Sequence, residues 1–242
     1  MIMLNVTKSN IELNKMKSKS LKRQKIQKEI IMARTKHDTF TMLEYEHKYL
    51  DMGKKYIAGV DEVGRGPLAG PIVVACIIMP LDDEDIIQGV NDSKKVSEKN
   101  REILFDKIMQ KALACKIEWA DEKVIDEINI LAATKRCMQR AIDGMELPPD
   151  VVLIDAVNID CKYPIEPIIK GDAKSYSIAC ASIVAKVTRG RFMVEMSQKY
   201  PEYDFASNKG YGSAKHIEAL KNIGACPIHR RSFIKNFVGK ED

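Results

Sequence analysis

The sequence predicts an α/β fold, with a mixed central sheet flanked by helices and a basic, helical extension at the N-terminus. Two short runs rich in β-branched residues, YIAGV and PIVVACIIM, are separated by a short Gly/Pro segment, which is typical of an antiparallel strand pair. Further along the chain, strand-like runs alternate with longer helical runs. This alternation favours a sheet whose faces are covered by helices.

Residues 1–54 form the predicted extension, and residues 55–242 form the predicted main domain, including a C-terminal helical region. The stretch from Lys15 to Lys28 contains seven basic residues and no acidic residue. Such a block commonly binds a polyanion, because each neutralised phosphate releases counterions, but a solvated tail accounts for it equally well. TFTMLEYEHKYLDMG follows as a predicted amphipathic helix that ends near Gly53. Its side chains expected against the main domain are Met42, Leu43, Tyr45 and Tyr49.

Each later element of the main domain is predicted from a local pattern. A helix begins after Ser97, a candidate N-cap, and its apolar side chains Ile103, Leu104 and Ile108 share one face. A second helix is expected to align Val124, Ile128, Leu131, Met138 and Ile142 along one side. After the first two strands, the predicted order is helix SEKNREILFDKIMQKAL, strand CKIEWA, helix VIDEINILAATKRCMQRAI, strand VVLIDA, strand IEPIIKGD and a long helix AKSYSIACASIVAKVTRGRFMVEMSQKY ended by Pro201.

The composition excludes several classes of protein. The 242 residues are 45% hydrophobic and 30% charged, which is ordinary for a soluble globular chain. No apolar run approaches the roughly 20 residues needed to cross a bilayer, and no secretory signal is evident. The six cysteines are scattered singly, so neither a zinc site nor a disulfide framework is indicated. We therefore expect a reduced, cytoplasmic, monomeric protein that does not bind membranes.

Four carboxylates lie at predicted strand ends: Asp61, Glu62, Asp155 and Asp172. Strand ends of an α/β sheet converge at one edge, where acidic groups repel one another unless cations neutralise them. Hard divalent ions, Mg²⁺ or Mn²⁺, take such oxygen ligands, and two ions about 3.5–4 Å apart support phosphodiester cleavage. Taken singly, Asp172 is better explained as a helix N-cap and Asp155 as a turn residue. The cluster indicates a metal site but names no substrate.

The block GVDEVGRGPLAGP resembles the opening signature of ribonuclease HII, the prokaryotic type 2 ribonuclease H. The similarity continues in family order through NDSKKVSEKNRE, IDAVNI, IIKGDAKSYSIACASIVAKVTR, KGYGSAKH and CPIHRRSF. It covers nearly everything after Lys54. The sister family, ribonuclease HIII, typically lacks the Gly-Arg-Gly motif, so Arg65 favours ribonuclease HII.

The resemblance implies a ribonuclease H-like fold and an endonuclease that cleaves RNA hybridised to DNA. It also implies incision 5′ of single ribonucleotides embedded in duplex DNA, by two-metal-ion hydrolysis that leaves 5′-phosphate and 3′-hydroxyl ends. The expected partners are therefore RNA–DNA hybrids and ribonucleotide-containing DNA, and the expected cofactor is Mg²⁺ or Mn²⁺. The family's catalytic metal ligands fall on Asp61, Glu62, Asp155 and Asp172.

The resemblance also implies a set of substrate-binding residues. The family's Gly-Arg-Gly motif, which contacts the ribonucleotide and its flanking phosphate, falls on Gly64, Arg65 and Gly66. Glycines let the backbone approach a sugar closely, arginine forks onto a phosphate, and sensing the 2′-hydroxyl distinguishes RNA from DNA. The family's substrate-sensing tyrosine falls on Tyr211, which without the resemblance would be interpreted as a surface tyrosine. Further phosphate contacts are expected from Ser93, Lys94 and Lys186.

One position departs from the family pattern. Gly190 stands where members commonly have Asp after KVTR, and we expect it to cost about 1 kcal/mol of helix stability without removing a metal ligand. Cys180 is expected to be a small buried residue without a redox role. His216 and His229 are expected to be structural or surface residues, although proton transfer is an alternative.

Other function classes explain less of the sequence. A non-catalytic nucleic-acid-binding module would account for the basic stretch but gives no reason for four acids at strand ends. A junction resolvase shares the two-metal chemistry but has no evident need for the Gly64–Gly66 motif and Tyr211. A dinucleotide-binding enzyme would require GxGxxG, and GVDEVGRG lacks it.

Overall fold

The computed structural model describes residues 39–238, and its centre is a five-stranded mixed sheet. The strands are β1 (Ile57–Val63), β2 (Ile72–Ile78), β3 (Ala114–Ala120), β4 (Val151–Asp155) and β5 (Ile165–Ile168), and they lie in the order β3–β2–β1–β4–β5. The β1–β2 and β2–β3 pairs are antiparallel, whereas the β1–β4 and β4–β5 pairs are parallel. The predicted antiparallel first pair and the mixed sheet are therefore confirmed.

Helices cover both faces of this sheet. The α-helices are α1 (Glu44–Asp51), α2 (Glu98–Lys111), α3 (Glu122–Ile128), α4 (Ile130–Asp143), α5 (Tyr176–Lys199), α6 (Phe205–Asn208), α7 (Ala214–Ile223) and α8 (Arg231–Ile234). Short 3₁₀ turns occupy Thr39–Met42, Gly171–Ala173 and Pro201–Tyr203. Within residues 39–238, no helix is both long enough and apolar enough to span a membrane.

Strand β2, which lies between β3 and β1, shows why helices are needed on both faces. All seven of its residues are buried, and alternate side chains belong to two separate cores. Val73, Ala75 and Ile77 pack in the core that includes α5, whereas Val74 and Cys76 pack in the core that includes α4. A strand buried on both faces reads as a continuous apolar run, as PIVVACIIM does.

The segment before β1 packs on the central sheet. Met42 and Leu43 are buried in the core, and Tyr45 and Tyr49 pack partly buried beside β4, as the amphipathic pattern predicts. The basic stretch Lys15–Lys28 lies outside the described residues.

Two predicted elements are shorter than the sequence pattern suggests. The helix expected over VIDEINILAATKRCMQRAI divides into α3 and α4 at Asn129, whose φ is +66°. The Asn129 side chain accepts hydrogen bonds from the amides of Leu131 and Ala132, so it caps α4, and Leu131 is left 46% exposed. The fifth strand ends at Ile168, because Lys170 takes a left-handed conformation and starts the turn that carries Asp172.

Several other local predictions are confirmed and one is wrong. Ser97 caps α2 by accepting a bond from the Asn100 amide, and Cys180 is fully buried. Ile103 is 47% exposed and does not share the buried face of α2. The long helix α5 begins after Ser175, whose hydroxyl accepts a bond from the Ile178 amide. The cap of this helix is therefore Ser175, which removes the simple capping explanation for Asp172.

Two glycines give opposite expectations for stability. Gly190 lies within α5, and a Cβ there would meet no atom within 4 Å. We expect Gly190→Ala to raise the free energy of unfolding by about 1 kcal/mol, because Gly is a poor helix former. At Gly59 in β1, a Cβ would lie 2.1 Å from the main-chain carbon of Ser177, so we expect Gly59→Ala to be destabilising. Urea unfolding of both variants measures the difference, and equal effects would contradict the packing described here.

Candidate active site

The four predicted acids converge at one edge of the sheet. The β1–β4 register places Val60 beside Ile154, so Asp61 and Asp155 follow as the next residues on neighbouring parallel strands. Asp172 lies in the Gly171–Ala173 turn. The Gly171 amide donates a hydrogen bond of 2.8 Å to Asp155 Oδ1, which fastens this turn to the end of β4.

The electrostatics of these acids show that their charges interact. Asp61 and Asp172 are only 5% and 6% exposed. Burial and then the charge of Glu62 hold the pKa of Asp61 well above its usual range. Burial also raises the pKa of Glu62 against the opposing effect of Arg65, and the pKa of Asp155 is raised by burial and by Asp172. Because these acidic groups repel one another, a positive charge bound at this edge of the sheet would stabilise their ionised forms.

Two basic side chains, Lys94 and Arg65, lie close enough to these acids to offset part of their negative charge. Lys94 Nζ lies 3.3 Å from Asp172 Oδ2, and the Lys94 side chain is 74% exposed. An Arg65 guanidinium nitrogen lies 3.5 Å from Glu62 Oε1. Both contacts are at or beyond the length of a good hydrogen bond, so neither cation is tightly held.

The donor chemistry fits hard divalent cations. All four groups offer carboxylate oxygens, and Glu62 Oε2 is buried without a hydrogen-bond partner among residues 39–238. A buried acceptor of this kind is costly unless something pairs with it. In the same described part of the chain, no three His, Cys, Asp or Glu side chains are already gathered around one point that could hold an ion.

The predicted recognition residues lie beside the acids. Gly64 follows the end of β1 with φ of +104°, and a Cβ there would lie 2.5 Å from Arg189 Nε, so this position requires glycine. A Cβ on Gly66 would lie 3.5 Å from the Tyr211 ring, which is ordinary contact. Tyr211 is 49% exposed. Arg65, Gly66 and Tyr211 are exposed, and they form one accessible surface next to Glu62, which Gly64 supports from a buried position.

The three predicted phosphate contacts differ in their exposure. Ser93 is fully buried, and its hydroxyl bonds Lys186 Nζ at 2.5 Å and Ser182 Oγ at 2.8 Å. Lys186 is partly buried, and burial lowers its pKa. The hydroxyl of Ser93 therefore faces the protein interior, and Lys94 is the most exposed of the three.

Two buried arginines donate hydrogen bonds to main-chain carbonyls of the Gly64–Gly66 turn and of the segments packed beside it. Neither of them was identified from the sequence. Arg230 donates to the carbonyls of Gly64, Arg65 and Gly70. Arg189 donates to three further carbonyls, those of Ala69, Pro71 and Lys209. Both arginines fall within the quoted blocks KVTR and HRRSF, but only convergence in space reveals their shared target.

The two histidines form a buried pair under Tyr211. His216 and His229 face each other with Nε2–Nε2 at 2.8 Å, and His216 Nδ1 lies 2.8 Å from the Tyr211 carbonyl oxygen. The Cys226 amide donates to His229 Nδ1. These contacts are satisfied by one direction of donation: the Cys226 amide donates to His229 Nδ1, His229 Nε2 donates to His216 Nε2, and His216 Nδ1 donates to the Tyr211 carbonyl. Both rings are then neutral. The structural interpretation of the histidines is confirmed.

This pair predicts a loss of stability in acid. Burial lowers the pKa of His229 to about 4 and also lowers the pKa of His216. Because the unfolded histidine takes up a proton near pH 6.5, the stabilisation is complete above that pH and is lost as the pH falls towards 4. For His229, the loss between pH 7.5 and pH 5 is on the order of 2 kcal/mol.

The measurement compares urea unfolding of the wild type and His229→Gln at pH 7.5 and pH 5. The difference between the two proteins cancels the contribution of Asp61, Glu62 and Asp155, whose raised pKa values act in the opposite direction. We expect the variant to lose less stability on acidification. Parallel pH profiles would show that His229 does not titrate as described.

Comparison with known proteins identifies relatives across this whole region. A family model described as ribonuclease HII matches residues 58–236. The ribonuclease HII of Ruminiclostridium cellulolyticum is 54% identical over 198 residues, which are 81% of this chain and 77% of the relative. That of Lachnoclostridium phytofermentans is 57% identical over 196 residues, or 81% and 76% of the two chains.

Solved structures give the same relationship. The ribonuclease H2 of Pyrococcus horikoshii superimposes with a TM-score of 0.63 at 30% sequence identity. The match covers 74% of this chain and 93% of the archaeal one. The predicted ribonuclease H-like fold is therefore confirmed.

Proposed function

We propose, because the chain belongs to the ribonuclease HII family, that it incises duplex DNA on the 5′ side of a single embedded ribonucleotide. Members of this family are hydrolytic endonucleases that cleave RNA in RNA–DNA hybrids. The reaction class and the cleaved strand follow from membership. The position of the cut and the two-metal mechanism are the proposed steps beyond it.

One observation carries the proposal: two of the four carboxylates, Asp61 and Glu62, lie immediately before the Gly64–Gly66 turn in the chain, with only Val63 between them. Asp61 and Glu62 lie near the end of β1, and the Gly64–Gly66 turn begins two residues after Glu62. Tyr211 packs its ring beside Gly66. A sugar seated on this turn would place its neighbouring phosphate next to the acids.

The roles of the four acids follow from their chemistry. Two divalent cations, Mg²⁺ or Mn²⁺, when held by these carboxylates, supply an activated water and stabilise the leaving 3′ oxygen. Hydrolysis in this sense leaves a 5′-phosphate and a 3′-hydroxyl. Glu62 Oε2, buried and unpartnered within residues 39–238, is a ready ligand. The metal-holding set is Asp61, Glu62, Asp155 and Asp172.

The remaining residues bind and orient the substrate. We expect main-chain groups of the Gly64–Gly66 turn to contact the 2′-hydroxyl, because Gly64 keeps the backbone in a conformation that other residues avoid. The exposed Tyr211 ring offers a flat surface for the adjoining sugar. Arg65 and Lys94 bring positive charge to the flanking phosphates, and their present contacts with Glu62 and Asp172 are loose enough to exchange.

A comparison of two labelled duplexes tests the proposal. One is all DNA and the other carries a single internal ribonucleotide, and each is incubated with Mg²⁺, Mn²⁺ or EDTA. We expect a metal-dependent nick only on the 5′ side of the ribonucleotide. Cleavage of a long RNA–DNA hybrid without this nick would reject the proposed position of cutting and leave the family activity in place. Equal cutting of the all-DNA duplex would favour a different carboxylate nuclease.

A further inference from the structure

Glu46 is a fully buried acid in a helix that lies outside the region matched by the family model. It sits in α1, and the matched region begins at residue 58. Its relative exposure is 0%, and burial raises its pKa. A carboxylate is rarely buried without a specific partner, because leaving water is costly for a charged or polar group.

The partners of Glu46 are at the first turn of α5. Its Oε1 accepts a 2.6 Å hydrogen bond from the Ser175 hydroxyl and a 2.8 Å bond from the Ser177 amide. Ser175 itself caps α5 by accepting a bond from the Ile178 amide. Glu46 therefore extends the cap from a second helix and places an acidic group at the positive end of the α5 dipole.

A short covalent and hydrogen-bonded path connects this cap to the proposed metal ligands. The amides of Lys174 and Ser175 donate to the Gly171 carbonyl at 3.0 and 2.9 Å, which closes the turn that contains Asp172. The amide of the same Gly171 donates to Asp155 Oδ1. Fixing Ser175 thus fixes a turn that carries one ligand and orients another.

The same contact also reaches β1. The main chain of Ser177 packs so closely on Gly59 that a Cβ there would lie 2.1 Å from it. Gly59 is two residues before Asp61. The first turn of α5 is therefore held between α1 on one side and the strand that carries Asp61 on the other.

We propose that Glu46 is a positioning residue for the active site, which sets the first turn of α5 and through it the placement of Asp172 and Asp155. The inference rests on the proposed metal-binding function of those two acids. The inference gives α1 a role in arranging the active site, although this helix precedes residues 58–236, which the family model matches. Groups that orient metal ligands typically contribute 10–100-fold to metal affinity or activity.

The test measures Mn²⁺ binding as well as cleavage. The Mn²⁺-induced rise in melting temperature reports binding without turnover, and the Mn²⁺ concentration for half-maximal cleavage reports function. For Glu46→Ala we expect both half-saturating concentrations to rise about tenfold. For Glu46→Gln, which keeps an oxygen acceptor for Ser175 and Ser177, we expect a smaller increase. Glu44→Gln is the matched control, because Glu44 lies on the exposed face of the same helix.

The outcomes separate this inference from the proposed function. If Glu46→Ala folds and both half-saturating concentrations equal those of Glu44→Gln, Glu46 has only a structural role and the inference is wrong. If Glu46→Ala does not fold, Glu46→Asp decides, because its side chain is one methylene shorter and withdraws the acceptor from Ser175 and Ser177. Equality of Glu46→Asp with Glu44→Gln would again reject a positioning role. Asp172→Asn tests the premise separately: unchanged Mn²⁺ binding and cleavage in that variant would reject the proposed function itself.

Discussion

Asp61→Asn is expected to reduce metal-dependent cleavage by about 10²–10³-fold while making the metal-free protein more stable. Activity falls because the variant loses a charged ligand at the point where β1 and β4 meet. Stability rises because burial and the charge of Glu62 raise the pKa of Asp61, so an ionised carboxylate at this position opposes folding, whereas a neutral amide does not. The asparagine oxygen can still accept the bond that the Glu62 amide donates to Asp61 Oδ1.

The two measurements are single-turnover cleavage in Mg²⁺ and urea unfolding in EDTA. Opposite changes in activity and stability are typical of a functional residue held at a cost to the fold. Asp83→Asn is a suitable control, since Asp83 is an exposed acid on a turn away from the sheet edge. Near-normal cleavage by a folded Asp61→Asn or Asp155→Asn protein would remove the basis for the metal site.

The convergence of the acids could be predicted because strand ends are visible in the sequence. VVLID and YIAGVDE are both apolar runs that end in acids, and parallel neighbours bring such ends to one edge. The break at Asn129 could not be predicted from periodicity. The apolar pattern continues across it, and only the positive φ of Asn129 shows that two helices meet there.

The residues that sequence reasoning missed share a physical property. Glu46 reads as part of the polar face of an amphipathic helix, and nothing local shows that its face meets the N-terminus of α5. Arg189 and Arg230 read as ordinary basic residues, yet they are 2% and 0% exposed and donate to main-chain carbonyls. Buried charges are defined by what surrounds them, which is a property of the fold and not of the local sequence.

Arg230→Met is expected to lower the free energy of unfolding by about 2–4 kcal/mol and to impair incision at a single ribonucleotide. The guanidinium donates to Gly64 at 2.6 Å, to Arg65 at 3.1 Å and to Gly70 at 2.8 and 3.0 Å. Methionine fills a similar length but donates nothing, so buried carbonyls are left without these donors. The turn that presents Gly64 and Gly66 then loses the contacts that fix it beside Glu62.

Arg230→Lys distinguishes geometry from charge in this arrangement. Lysine keeps the positive charge, but a single ammonium group cannot reproduce a planar fork that reaches carbonyls on both sides of the turn. We therefore expect Arg230→Lys to resemble Arg230→Met in urea unfolding and in incision of the ribonucleotide-containing duplex. Arg191→Lys is the matched control, because Arg191 is exposed and pairs with Glu102 at the surface. If Arg230→Lys kept wild-type stability and incision, charge alone would explain Arg230. The recognition turn would then have to be held by Arg189 and by the packing of Gly64 against it.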